Sequence, residues 1–167
     1  MRGRLAPLLA LMLVGCAGHA RAADSDGDAR TCPSIRSAVL ARDKSALTVL
    51  DILCRGDLVV IAGALPPDYT LAVAAVHIAR TTPGVSRVET FFVPRSAREP
   101  TDSALAVKLK SAVAANDNAT ATDLTVIAGT AVLVGVVDDQ AKADRLVTSV
   151  SAVPGVKGVK SFLQVKP

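Results

Sequence analysis

The chain of 167 residues has very few aromatic side chains: it contains no tryptophan, one tyrosine and three phenylalanines. It also contains no block of consecutive lysines and arginines. Surfaces that bind nucleic acid usually combine clustered basic residues with aromatic rings that stack on the bases. Because both features are missing, we expect no nucleic-acid partner.

Residues that carry catalysis or bind metals are also scarce. The two histidines are His19, near the N-terminus, and His77, in an apolar helical pattern. Neither has an acidic partner at the spacing of a metal site or a catalytic triad, and there is no phosphate-binding glycine loop. We therefore predict a protein that is not an enzyme and has no metal site and no cofactor. Asp138 and Asp139 are interpreted as a helix cap.

The beginning of the chain is typical of a secretory signal. Residues 1–4 are positively charged and residues 5–14 form an apolar run. A membrane-spanning helix needs about 20 apolar residues, so this run is too short to be one. The segment indicates export, and removing it with Arg2 and Arg4 lowers the formal net charge from +4 to +2.

Two cleavage sites are open. Residues 13–16, LVGC, look like a bacterial lipobox, in which the cysteine becomes the lipid-modified N-terminus, whereas Ala20-Arg21-Ala22 is typical of an ordinary signal-peptidase site. All four lipobox positions fit, so we predict a signal over residues 1–16 and lipidation of Cys16. Residues 17–32 are rich in alanine, glycine and aspartate without an apolar period, and we interpret them as a flexible tether.

The rest of the chain is a repeat. Gly63 and Pro83-Gly84 reappear as Gly135 and Pro154-Gly155, displaced by 72 and 71 positions. In both copies the apolar periods and the Gly/Pro breaks predict helix, strand, strand, helix, strand. The first copy has these elements at 33–42, 47–54, 58–62, 66–80 and 85–93. The second has them at 101–115, 124–128, 131–136, 138–153 and 156–165.

The predicted connections define the fold class. A right-handed crossover makes the second and third strands of each copy parallel, and the hairpin before it antiparallel. The result is an α+β fold in which each copy is a small mixed three-stranded sheet with two helices on one face. The first hairpin is predicted to be one residue longer, because Gly56 to Gly63 spans seven positions and Gly129 to Gly135 spans six. Gly129 is expected to adopt positive φ in its hairpin, and Gly63 and Gly135 to end their strands.

The motifs of the second copy resemble the BON domain. They are the run from Ile127 through Gly129 to Gly135, and Pro154-Gly155-Val156 before the last strand. The first copy departs from the pattern at Cys54, at its hairpin and at two adjacent phenylalanines. The resemblance implies two tandem αββαβ BON-like modules, at residues 33–95 and 101–167, joined by a linker at 96–100.

The resemblance also implies a function. A lipobox followed by two BON domains is similar to the dual-BON lipoproteins of the Gram-negative outer membrane, which bind anionic phospholipid and support envelope integrity. We therefore expect a lipid-anchored protein on the periplasmic face of the outer membrane. Two alternatives stay open: a soluble periplasmic osmotic-stress or chaperone-like protein, and an envelope adaptor that recruits a protein partner through a strand edge.

Basic side chains of the second copy are the candidates for contact with phospholipid. Anionic headgroups attract each nearby lysine or arginine by about 1 kcal/mol, and in the resembling lipoproteins the second BON domain meets lipid through a helix. The candidate residues are Lys108, Lys110, Lys142, Arg145, Lys157 and Lys160. The alternative is that they are solubilising charges, interspersed with the aspartates at 102, 123, 138, 139 and 144.

Two cysteines remain besides Cys16. Cys32 precedes the first predicted helix and Cys54 ends the first strand. A helix followed by an antiparallel strand brings the start of the helix close to the end of the strand, as a disulfide requires. Since exported proteins are oxidised, we predict a Cys32–Cys54 bridge, with two separate buried thiols as the alternative.

Overall fold

A computed structural model describes residues 25–97, 101–115 and 122–166. The predicted signal, Cys16 and part of the predicted linker lie outside these ranges. The N-terminal half contains α1 (Ser25–Arg42), β1 (Leu50–Arg55), β2 (Leu58–Leu65), α2 (Thr70–Thr81) and β3 (Arg87–Pro94). The C-terminal half contains α3 (Asp102–Ala114), β4 (Thr122–Ile127), β5 (Thr130–Val137), α4 (Gln140–Ser151) and β6 (Gly158–Val165).

Each half contains one three-stranded sheet with the predicted pairing. The orders are β1-β2-β3 and β4-β5-β6. The hairpin strands are antiparallel, and the strand after the second helix adds to the sheet in parallel. The described residues therefore form an α+β structure of four α-helices and two mixed sheets.

In each half, both helices contribute to one apolar cluster with alternate residues of the strands. In the N-terminal half Ile35 of α1 and Ala75 of α2 join Ile52 and Ile61 of the hairpin. In the C-terminal half the cluster contains Leu109, Leu133 and Leu146 with their neighbours. The 3.6-residue period of the helices and the two-residue period of the strands bring these side chains together.

The other faces of the two sheets pack against each other. Leu53 and Val60 of the first sheet form one buried cluster with Ile127 and Val132 of the second, and Phe162 packs at its border. All eight residues of β2 are buried, because one side faces the helices and the other faces the second sheet. The described residues are thus arranged as helices, sheet, sheet, helices.

Polar contacts connect the two halves beside this apolar layer. The hydroxyl of Thr125 donates to Asp51, with 2.7 Å between the oxygens. Arg55 forms an ion pair with Asp123 at 3.3 Å. Both contacts join the outer hairpin strands β1 and β4, so they fix how one sheet lies on the other.

The structure corrects the predicted start of the first helix. The helix begins at Ser25 rather than at Pro33, so Pro33 lies inside it, and residues 25–32 of the predicted tether are helical. No apolar period marks these residues, which are mostly small and polar, and sequence periodicity therefore missed them.

The hairpins also differ from the prediction. Leu50 pairs with Gly63 and Thr122 pairs with Gly135, so both glycines lie within strands and both hairpins have two-residue turns. A Cβ at Gly63 would lie 2.3 Å from the carbonyl oxygen of Val49, which explains why this position has no side chain. The first hairpin was predicted to be one residue longer because its spacing was counted from the turn glycine. That glycine is the first turn residue in the first hairpin (Gly56) and the second turn residue in the second hairpin (Gly129).

Candidate functional site

Asp102, at the start of α3, is buried and fixes the position of this helix. Its side chain is 6% exposed. Its carboxylate accepts hydrogen bonds from the backbone N–H groups of Ala128 and Gly129, at 2.9 and 2.8 Å. The carboxylate thus joins the first turn of α3 to the β4–β5 hairpin, 26 and 27 residues further along the chain. The sequence did not indicate this contact, because it showed Asp102 only as one of the aspartates interspersed with the candidate lysines.

The outward face of α3 combines an apolar side chain with positive charge. Val107 is 66% exposed, and the next basic residues, Lys108 and Lys110, are exposed as well. Asp102 is the helix's single acidic residue, and its carboxylate is turned to the hairpin. The charges that α3 presents to solvent are therefore all positive.

The two lysines of α3 lie on opposite flanks of that outward face. Residues two positions apart in a helix point about 200° apart around its axis. Lys110 borders a cavity of about 560 Å³ between the two halves, which is also lined by Arg36, Asp51 and Asp123. Lys108 is on the other flank, so Val107 lies between the two lysines around the helix axis.

The basic residues of α4 are in the same helical layer, but one of them is already paired. Lys142 donates to Asp138 at 2.5 Å, and Lys166 contacts the same carboxylate at 2.6 Å. These two hydrogen bonds, that from Lys142 first, lower the pKa of Asp138 to about 2. Arg145 is exposed. The predicted cap is present, since the carboxylate of Asp139 accepts from the backbone N–H of Lys142.

The remaining two lysines are placed elsewhere. The side-chain carbons of Lys157 lie over the hairpin, since a Cβ at Gly129 would be 2.9 Å from Lys157 Cδ. The ammonium of Lys160 lies 5.6 Å from the centre of the Phe162 ring, on the side of the sheet that faces the other half. The six candidates therefore do not form one patch, and only those on α3 and α4 share a layer.

The structure pairs Cys32 with Cys54 in a disulfide, with 5.8 Å between the Cα atoms. This agrees with the predicted bridge. It links α1 to the end of β1, beside the guanidinium of Arg36, which donates to the carbonyl oxygen of Ile52 at 2.6 Å.

Metal-binding groups are not assembled in the described part of the chain. Within these residues, no cluster of three or more His, Cys, Asp or Glu side chains could hold a metal ion. His77 is exposed on α2, among apolar neighbours. Among the described helices, none has the length and apolar character needed to cross a bilayer.

Comparisons with known proteins give one family. The BON domain family model matches residues 101–167, and no curated protein matches the chain. Among solved structures, this chain is similar to the C-terminal domain of CdsD, the structural protein of the type III secretion system of Chlamydia trachomatis. The two are 16% identical and superpose with a TM-score of 0.36, and the match covers 84% of this chain and 67% of that one. A second CdsD structure is 18% identical with a TM-score of 0.37, over 80% and 62%, so this chain spans less than two thirds of it. Both likenesses are too distant to carry an argument.

Proposed function

Residues 101–167 are a BON domain, and from this premise we propose that the chain is a non-catalytic envelope protein whose C-terminal half binds anionic phospholipid through α3. The family indicates an envelope or periplasmic protein that interacts with phospholipid or with other proteins. The choice of phospholipid rests on the chemistry of α3.

The observation that carries the proposal is the position of Val107 between two lysines. An interfacial helix inserts apolar side chains at the level of the headgroups, while flanking lysines reach toward the phosphates. Val107 with Lys108 and Lys110 has this arrangement, and burial of Asp102 removes the acid that would repel an anionic surface. Arg145, in the same helical layer, adds long-range attraction.

We further propose that the N-terminal half is a second, diverged BON-like module. It has the same order of helices and strands and the same strand pairing as the matched half. Glycines with positive φ follow the second helix in both halves, at Gly84 and Gly155. The disulfide distinguishes this copy from the other.

The proposed location is the periplasmic face of the outer membrane, with an anchor on Cys16. One acyl chain binds a membrane only marginally, but the triacylated cysteine that is usual in such lipoproteins would suffice for stable anchoring. Replacing Cys16 by serine should move the protein from the membrane fraction to the soluble periplasmic fraction. A native mass that starts at Ala23 would contradict the anchor and leave the soluble periplasmic alternative.

Vesicle binding tests the role of α3, using residues 25–167 so that no lipid anchor contributes. We expect binding to phosphatidylglycerol vesicles and none to phosphatidylcholine vesicles. Binding should weaken as salt rises, because the Debye length falls from about 10 Å at 0.1 M to about 3 Å at 1 M. The Lys108→Glu/Lys110→Glu variant should lose at least about tenfold in affinity, since two attractions of about 1 kcal/mol become repulsions.

Two matched controls separate this contact from general charge and hydrophobicity. Lys44→Glu/Arg95→Glu changes the net charge equally at exposed positions of the other half, and should retain most of the binding. Val107→Ser should weaken binding more than Val165→Ser, which changes another exposed valine. Equal losses in test and control variants, or no binding at low salt, would refute the lipid proposal. The adaptor and stress-protein alternatives would then take its place.

A further inference from the structure

Helix α2 has an exposed ridge that no element of the chain covers within the described residues. Tyr69, Val73 and His77 are four positions apart, and successive side chains at this spacing form a ridge along a helix. Tyr69 is 49% exposed and Val73 is 67% exposed. Isolated exposed valines are ordinary, but here an aromatic ring and a valine adjoin along one line.

A groove runs along each side of this ridge. The groove toward the sheet has a volume of about 510 Å³ and is lined by Val76 and by Thr90 and Phe92 of β3. The groove toward α1 has a volume of about 900 Å³ and is lined by Ala38 and Ala41. Helices pack by placing the ridge of one into a groove of the other. The surface of α2 therefore has both parts of a helix–helix contact.

The charges at the two ends of the ridge are complementary. Asp68, at the start of α2, lines the groove toward α1 together with Arg42 of that helix, and Arg80, near the end of α2, lines the groove toward the sheet. Neither side chain has an ion-pair partner among the described residues. An identical helix running antiparallel would bring the Arg80 of each copy to the Asp68 of the other.

From this geometry we propose that the Tyr69–Val73–His77 ridge is the contact surface of a symmetric dimer, and that its occupant is α2 of a second copy of this chain. A two-fold axis requires a self-complementary surface, in which residue i contacts j and j contacts i. A ridge with a groove on each side and opposite charges at its ends meets that requirement.

A bilayer is a poorer occupant for this surface. The ridge belongs to the helical layer of the first sheet, whereas α3 belongs to the layer of the second, on the other side of the stacked sheets. One flat membrane that contacts α3 therefore does not reach the ridge. The acid at Asp68 would also be repelled by an anionic headgroup. The first of these two arguments rests on the proposed contact of α3 with lipid, whereas the ridge, its grooves and its charges do not.

Cross-linking of the full chain in intact cells tests the dimer. Tagged and untagged copies that carry Val73→Cys are co-expressed and treated with a short bis-maleimide. The covalent dimer of one tagged and one untagged copy is then identified by its mass. Val73 lies near the centre of the ridge, so its replacement should approach its own symmetry mate. Cys32 and Cys54 are bonded to each other, and the unsubstituted chain controls for Cys16.

The matched control is Val165→Cys, since Val165 is another exposed valine, at 41%, and lies neither on the ridge nor on the proposed lipid contact of α3. We expect several-fold more cross-linked pair from Val73→Cys. Equal yields, no pair, or adducts of Val73→Cys with other proteins alone would overturn the proposal.

Charge exchange tests the antiparallel arrangement. In the Val73→Cys background, Arg80→Asp should lower the cross-linked fraction roughly tenfold. The two-fold axis places an Arg80–Asp68 pair at each end of the contact, so the substitution removes both pairs. Asp68→Arg combined with Arg80→Asp should restore it. Circular dichroism confirms that each variant keeps its helices. A folded double variant that does not regain cross-linking would overturn the assigned contact.

Discussion

The carboxylate of Asp102 accepts a hydrogen bond from the backbone N–H of Gly129, with 2.8 Å between Oδ1 and the nitrogen. The second oxygen accepts from Ala128 at 2.9 Å. Both donors are in a tight turn whose residues have positive φ, 54° at Ala128 and 74° at Gly129. A buried charge at the start of α3 thus holds a turn that backbone propensity alone does not favour.

Removing this carboxylate should destabilise the protein strongly. We expect Asp102→Ala to lower the free energy of unfolding by about 3 kcal/mol, because one buried and one partly buried N–H group lose a charged acceptor. Urea unfolding measures the change. The control is Asp144→Ala, an exposed acid on α4 whose loss should cost less than about 0.5 kcal/mol. Similar losses for both variants would show that the Asp102 contacts contribute little.

Ala128→Gly should stabilise the protein. An alanine in the left-handed region is strained by about 1–2 kcal/mol, and glycine removes the strain but adds chain entropy to the unfolded state. We expect a net gain of about 0.5–1 kcal/mol. The same substitution at Ala38, exposed within α1, should instead cost about 1 kcal/mol. Thermal unfolding of both variants decides the sign, and a loss at Ala128 would contradict the strained turn.

The disulfide should contribute substantially to the N-terminal half. The two cysteines are 22 positions apart, and closing a loop of this size stabilises a fold by about 3 kcal/mol in the chain-entropy model. We expect Cys32→Ala/Cys54→Ala to lose about this amount in urea unfolding. Thiol titration of the unreduced, denatured protein should detect neither cysteine, and two reactive thiols would disprove the bridge.

Asp138 should titrate well below an ordinary aspartate. Hydrogen bonds from Lys142 and Lys166 lower its pKa from 3.8 to about 2. Because the folded pKa is the lower one, this cluster stabilises the fold above pH 3.8 and the contribution is lost as the pH falls toward 2. Carboxyl NMR of Lys142→Ala should show the midpoint rising toward 3.8, whereas Lys108→Ala should leave it unchanged. An unchanged midpoint in Lys142→Ala would contradict the pairing.

Local signals predicted the order of elements and the strand pairing. Glycine and proline breaks and apolar periods are enough to predict these features, because each of these signals is set by a few neighbouring residues. The packing of one sheet on the other was not predicted, although β2 and β5 gave a signal for it. Near-continuous valine and isoleucine in a strand indicate that both of its faces are buried, and two helices on one side cover only one face.

The candidate site was less predictable from the sequence than the fold. Lysines can be counted in a sequence, but their directions depend on tertiary packing, which separates Lys160 from the lysines of α3. The role of Asp102 was hidden because its partners are backbone groups 26 and 27 residues away. A preference for aspartate at a helix start is explained locally by capping, so nothing in the sequence pointed to the hairpin.

The apolar layer between the two sheets has a consequence for cooperativity and for the evolution of the chain. If one half unfolded alone, the other would expose a whole sheet face, including Val60 and Ala62 or Val132 and Val134. We therefore expect a single melting transition, although the sequence divides into two copies. Two halves that share a core in this way cannot be deleted or exchanged one at a time. Natural selection then acts on the two halves together, so a feature of one half, such as the disulfide of the first, stabilises the other half as well.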